Sequence, residues 1–196
     1  MLKKLTLTGC TLLLLAGCGA NTSTENVDSF NQAGTSNPIQ NLSTGNQANN
    51  VDIVNPKVSF SEALKIFNQT YPDAKIESVD LETGLGGLYY DIDGFDSRNE
   101  YELKIDATTK EIYANEFERN KNTDEILDLS SVMDPSEAIA IALQVPEVQG
   151  LAPTSWSLDA DYGMQIYEIE FKQKYTEIDI KINAVNGDIL EVKIDD

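Results

Sequence analysis

Apolar and polar positions along the chain fall into three regimes. Residues 5–15 are nearly continuous in apolar character. Residues 19–55 have few apolar positions, being mostly Asn, Thr, Ser, Gly and Gln. From Pro56 to Asp196 two periods take turns. Ala63, Leu64 and Phe67 recur at helical spacing, as do Ala138, Ile139 and Ala142. Ser59 with Glu62, and Asp134 with Glu137, have the spacing of a capping box. Pro135 suits a first helical position, and Pro72 and Pro146 mark helix ends.

After each helical stretch the period falls to two. Ile76, Val79 and Leu81 suggest one strand. Tyr90 and Ile92 alternate with Asp91 and Asp93, then come Tyr101, Leu103 and Ile105, then Tyr113 and Phe117. The second half runs Trp156 and Leu158; Tyr167, Ile169 and Phe171 against Glu168, Glu170 and Lys172; Ile178, Ile180 and Ile182; Leu190, Val192 and Ile194. Such alternation predicts sheets with one buried and one solvated face. Asn186-Gly187 reads as a two-residue hairpin, with Thr109-Lys110 as its weaker counterpart.

The two halves are copies. Tyr90-Asp91-Ile92-Asp93 lies over Tyr167-Glu168-Ile169-Glu170, and residues 101–118 lie over 178–195, at one offset of 77. The same offset sets Val79 over Trp156 and Leu81 over Leu158, while 59–67 lies over 134–142 at an offset of 75. The expectation is an α+β protein of two repeats, 56–118 and 132–196, joined by an acidic, polar linker at 119–131. Each repeat is one helix on an antiparallel meander of three or four strands. A unit of about 65 residues has little core of its own, so the two should pack together. Asn115 stands where the second copy has Val192, which should weaken the last strand of the first unit.

The N-terminus, Met1-Leu2-Lys3-Lys4 before an apolar run and small residues, has the layout of an export signal. Around Leu15-Ala16-Gly17-Cys18 it resembles a bacterial lipoprotein signal, which implies cleavage after residue 17 and diacylglycerol on Cys18. Cys10 lies too near Lys4 for an h-region of ~7–15 residues. A retained span is the alternative, but residues 5–20 fall short of the roughly 20 it needs. Residues 18–55 then form the lipidated cysteine and a polar tether, too poor in apolar surface to order itself. The tether spans about 30–37 Å on average. The protein should sit on the extracytoplasmic face of the cell membrane, held through Cys18.

Charge narrows the partners. The formal charge of −19 becomes −21 when Lys3 and Lys4 leave with the signal. Phosphate backbones repel such a chain, so no nucleic acid partner is expected. The charge suits a solubilised exterior protein, or a cationic partner. With no histidine, and one mature cysteine capped by lipid, the usual nucleophile–base pairs are absent. A Ser–Lys pair is not excluded by composition, but no lysine sits in an apolar stretch. The carboxylate pairs Asp91/Asp93 and Glu168/Glu170 read as the solvated sides of strands. No enzyme and no cofactor are expected. Asp91, Asp93, Asp96 and Glu100 resemble a calcium loop only loosely, since Gly94 and Phe95 fall at the wrong positions, so no metal is expected. Trp156 and Tyr167 read as core. The candidate binding residues are Leu85 and Tyr162, at equivalent turn tips.

The repeats resemble the PepSY domain. The resemblance rests on "SEAL" and "SEAI" in the helices, the Tyr-x-Ile strands, and the closing "KIDATTKEIY" and "KINAVNGDILEV". Ile105-Asp106-Ala107 and Thr109 match the family's closing motif, with Lys110 where Gly is usual; Ala184, Asn186 and Gly187 match in the second copy, with Asn183 where Asp is usual. The whole looks like a tandem-PepSY lipoprotein of a Gram-positive bacterium. The resemblance implies a module without catalytic residues that binds, and restrains, a secreted or wall-associated peptidase or another envelope protein. The alternative is a passive acidic envelope scaffold that buffers cations.

Overall fold

The computed structural model describes residues 52–84, 86–119 and 125–196. Helix α1 (Phe60–Thr70) leads into strands β1 (Lys75–Gly84), β2 (Gly87–Phe95), β3 (Asn99–Asp106) and β4 (Ile112–Arg119). Helix α2 (Pro135–Ala142) and a 3₁₀ turn at Pro146–Val148 lead into β5 (Pro153–Asp161), β6 (Met164–Gln173), β7 (Thr176–Asn183) and β8 (Ile189–Asp195). The chain is α+β, as the periodicity predicts.

The expected meanders do not form separate sheets. All eight strands make one antiparallel sheet in the order β4-β3-β2-β1-β5-β6-β7-β8. The joint is β1 against β5, with Val79 opposite Leu158, Asp80 opposite Ser157 and Leu81 opposite Trp156. The first strands of the two meanders thus close each other's edge, and β4 and β8 are left as the outer edges.

One face of the sheet is the core. Tyr90, Ile92, Leu103 and Ile105 of the first meander are buried, as are Tyr167, Ile169, Ile180 and Ile182 of the second. Ala63 and Phe67 of α1, and Ala138, Ile139 and Ala142 of α2, pack on them. Helices of this length are marginal alone and depend on that packing. Gly94 lets α1 approach: a Cβ there would lie 2.5 Å from the Lys75 carbonyl oxygen and 2.7 Å from Phe67 Cζ. Trp156 fills the centre beneath the joint. Its ring meets Phe60, Tyr90 and Tyr167 edge-on, at centroid distances of 5.8, 6.2 and 5.9 Å.

The residues behind the family resemblance are structural. Tyr90 donates its hydroxyl hydrogen to the Val58 carbonyl at 2.9 Å, and Tyr167 does the same to Met133 at 2.9 Å. Val58 N–H donates to Ala107 and Met133 N–H to Ala184, both at 2.8 Å. Ala107 and Ala184, fully buried, donate in turn to Leu88 and Gln165. Each helix entry is clasped to the sheet by one tyrosine and one buried alanine.

Several local expectations change. Ser59 and Glu62 form the full capping box, but Asp134 caps α2 through Ser136 N–H at 3.0 Å rather than through Glu137. Asn186-Gly187 is not a two-residue hairpin. The β7–β8 loop covers 184–188, because Asn183 Oδ1 accepts from the N–H groups of Val185 and Asn186 and opens a wider turn. Only Gly187 there has a positive φ, of 78°; Lys110 takes the matching conformation at 70° and reaches Glu62 at 2.6 Å. Two apolar residues in stretches read as tether and linker join the core. Ile53 is buried, and so is Leu127, whose N–H donates to the Ile76 carbonyl at 3.0 Å.

The clasps should be measurable. Tyr90→Phe leaves the Val58 carbonyl buried without its donor and should cost about 1–3 kcal/mol in denaturant unfolding. Tyr167→Phe should cost less, because that hydrogen bond is only part-buried. Equal and negligible losses would show that the clasps do not hold the helices.

Candidate interaction surface

Alternation that buries one face leaves the other to solvent, and here that face is acidic. Asp80 and Glu82 of β1, Asp91 and Asp93 of β2, Glu102 of β3, Glu168 and Glu170 of β6, and Glu177 and Asp179 of β7 alternate with buried neighbours. Cross-strand register sets Asp93 opposite Glu102 and Glu170 opposite Asp179. Lysines are interleaved but fewer. Lys104 contacts Asp91 at 2.5 Å and Glu102 at 2.7 Å; Lys172 contacts Glu170, and Glu177 at 3.6 Å; Lys181 contacts Glu168 and Glu191 at 3.5 Å each.

The crowding shows in the acidities. Burial, then the charges of Asp91 and Glu102, push Asp93 up to about 6, against one hydrogen bond from Ser78 Oγ at 3.2 Å. Burial also raises Asp91 and Asp179. Burial works against the Glu170 charge too, but hydrogen bonds from Lys172 and Ser155 outweigh it and hold that carboxyl low. Its charge in turn raises Glu177. Carboxylate oxygens of Glu170, Glu177 and Asp179 lie within 4.8 Å of one another, a donor set that suits a hard divalent ion. Lys172 already contacts two of the three and offsets one of their charges. Asp96 is committed to its turn, accepting from Arg98 and Asn99 N–H and from the Tyr101 hydroxyl.

The acidic face runs out to the β4 edge in a groove of about 410 Å³. Glu77, Asp93, Glu100, Glu102, Glu116 and Glu118 line it, with Tyr101 and Phe117. Phe117 is 71% exposed. The strand periodicity reads Phe117 only as one face of the last strand; the groove's carboxylates come together through the β2–β3–β4 register.

Of the candidate residues, Cys18 and Leu85 lie outside the described residues. Tyr162 stands at the tip of the β5–β6 hairpin, 88% exposed. Tyr162 and Gly163 both have positive φ, 49° and 76°, so this is the two-residue turn that the twist of a hairpin favours. A tyrosine in the left-handed region is held against its preference. Trp156 and Tyr167 are core, as read; Tyr175, 93% exposed, sits in the β6–β7 turn, at the other end of β6 from Tyr162.

Known proteins bear on this surface. The PepSY family model, described as peptidase propeptide and YPEB domain, matches residues 57–114 and 132–193. The chain belongs to the PepSY family. One PepSY match runs from α1 through β3 into the start of β4, the other from α2 through β7 into β8. A crystal structure of a provisionally assigned lipoprotein from Clostridium difficile 630 is similar, with 34% identity and a TM-score of 0.66. The similarity covers 72% of this chain and 95% of that one. No curated protein matches the PepSY chain in sequence.

The lowered acidity of Asp93 has a pH signature. A carboxyl that holds its proton more tightly when folded adds stability below its unfolded value near 3.8, and loses it as pH rises to about 6. Stability should therefore fall between pH 4 and 6 by an amount on the order of 2–3 kcal/mol from this group. Asp93→Asn should flatten that fall and be the more stable form at pH 7, read from denaturant midpoints. Parallel curves for the two proteins would contradict it.

Proposed function

We propose that this PepSY chain is a membrane-anchored, extracytoplasmic lipoprotein that acts as a non-catalytic protein-binding module. The observation that carries the reading is the unpaired β4 edge beside the acidic groove. All of β4 but Ala114 is exposed, and an edge strand offers a row of backbone donors and acceptors for an added strand. Carboxylates on the flanking face favour a basic partner by attraction and discriminate against acidic ones. Tyr162, at its exposed turn tip, is a second contact point, with Leu85 its counterpart in sequence at the offset of 77. The partner is a secreted or wall-associated protein, and the family description points to a peptidase, whose activity the module would restrain.

The anchor follows the signal-like segment 1–17 and Cys18, whose diacylglycerol would hold the protein while the polar residues between Cys18 and the buried Ile53 lift it from the surface. The similarity to a protein described as a lipoprotein supports this. Among the described residues no helix is long and apolar enough to cross a membrane. The acidic face also favours a second reading, a passive cation-buffering scaffold.

The full chain, immobilised and exposed to the organism's secreted and wall proteins, separates the two. A specific module retains one stoichiometric partner through ~0.3 M salt, where exposed charges are largely screened. Glu116→Lys with Glu118→Lys should weaken that retention at least about tenfold, as loss of charge complementarity at an interface does. If the partner is a peptidase, its activity should fall when the domain is added. Only assorted basic proteins, released together as salt rises, would establish the passive scaffold.

A further inference from the structure

The second outer edge is of different character. Every residue of β8 is exposed, including Val192 at 38% and Ile194 at 50%. Their register partners Ile180 and Ile178 are buried core residues, so Val192 and Ile194 continue the apolar row on the helix side. On the other side Glu191 and Lys193 alternate in sign. Neither a proline nor a covering element guards the strand among the described residues, although long open edges are usually blunted.

We propose that β8 pairs with β8 of a second copy of this chain, antiparallel and centred on Val192, making one continuous sheet from two molecules. This inference does not depend on the partner at β4. Strand β8 runs from Ile189 to Asp195, so Val192 is its midpoint and only this register pairs the whole strand. It sets Val192 against Val192 of the partner subunit, and Glu191 against Lys193 of the partner subunit, twice by symmetry. Moving the centre one residue onward opposes Lys193 to itself and Glu191 to Asp195. Moving it one residue back opposes Glu191 to itself. Both alternatives set like charges directly opposite, which destabilises a sheet. The self-complementary patch is what a two-fold interface requires.

The fold already makes this kind of joint once. Strands β1 and β5 pair antiparallel, centred on Asp80 and Ser157, which are equivalent at the offset of 77. Both helices stay on one side of the sheet across that joint, and the β8 pairing would extend the same layer. The β4 edge does not suit self-pairing. Its charged positions beside the groove, Glu116 and Glu118, carry no lysine between them, so no register creates two cross-strand ion pairs.

The full chain in mild detergent should sediment as a concentration-dependent dimer. Lys193→Glu should weaken dimerisation about tenfold, the scale expected when two cross-strand pairs become repulsive. Glu191→Lys should weaken it likewise, and mixing the two variant chains should restore pairing, because Glu and Lys then face each other at both positions, which separates pairing from a folding defect. Val192→Cys should give a disulfide-linked dimer on mild oxidation, above the background of the parent chain, and Asn115→Cys on β4 should not. A protein that stays monomeric at all concentrations would overturn the proposal. So would a dimer insensitive to Lys193→Glu, variant chains that do not pair when mixed, or cross-linking through residue 115 instead of 192.

Discussion

The structure depends on the pairing of β1 with β5. Each meander has a strand that would otherwise be an open edge, and each has a core too small for a domain of ordinary stability. Joining them removes two of four edges and makes one apolar layer across eight strands. Trp156 sits under that joint at 2% exposure and touches aromatic rings from both halves. Its buried Nε1 has no hydrogen-bond partner among the described residues, so packing holds it. The two short helices then need cover only one face.

From that one-sided cover the functional surface follows. A sheet with both helices on one face must solvate the other, and this chain does so chiefly with carboxylates. Lysines hold part of that charge in check, while the groove beside β4 remains dominated by acids. The outermost strands are left with the backbone capacity that the joint removed elsewhere. Edges and turns are therefore where this sheet leaves backbone groups exposed.

Much of this was legible in the residues. Period-two alternation marked the strands, and the offset of 77 aligned residues that make like contacts: Tyr90 with Tyr167, and Ala107 with Ala184. The strand that would join the halves was not legible, since any of several apolar strands could have met another; register is a long-range property that no local pattern carries. Asn186-Gly187 looked like the tight hairpin, yet Asn183 at the strand end widened that loop, while Tyr162-Gly163 formed the tight turn. Ile53, near Val51 and Val54, and Leu127, near Ile126 and Leu129, sit in apolar clusters too short to carry a period that marks core. Tyr162 was recognised as exposed from its turn context. The groove was not recognised, because its acids come from separate strands and meet only through pairing.

Trp156 is the chain's one tryptophan, which makes the central claim directly measurable. Denaturant unfolding would be followed by its fluorescence and by the far-ultraviolet circular dichroism of the sheet. One sheet joined at β1–β5 predicts coincident transitions with a single midpoint, as expected of a cooperative unit. Loss of the Trp156 signal at lower denaturant, with strand dichroism persisting, would show two halves that fold independently and would contradict the account.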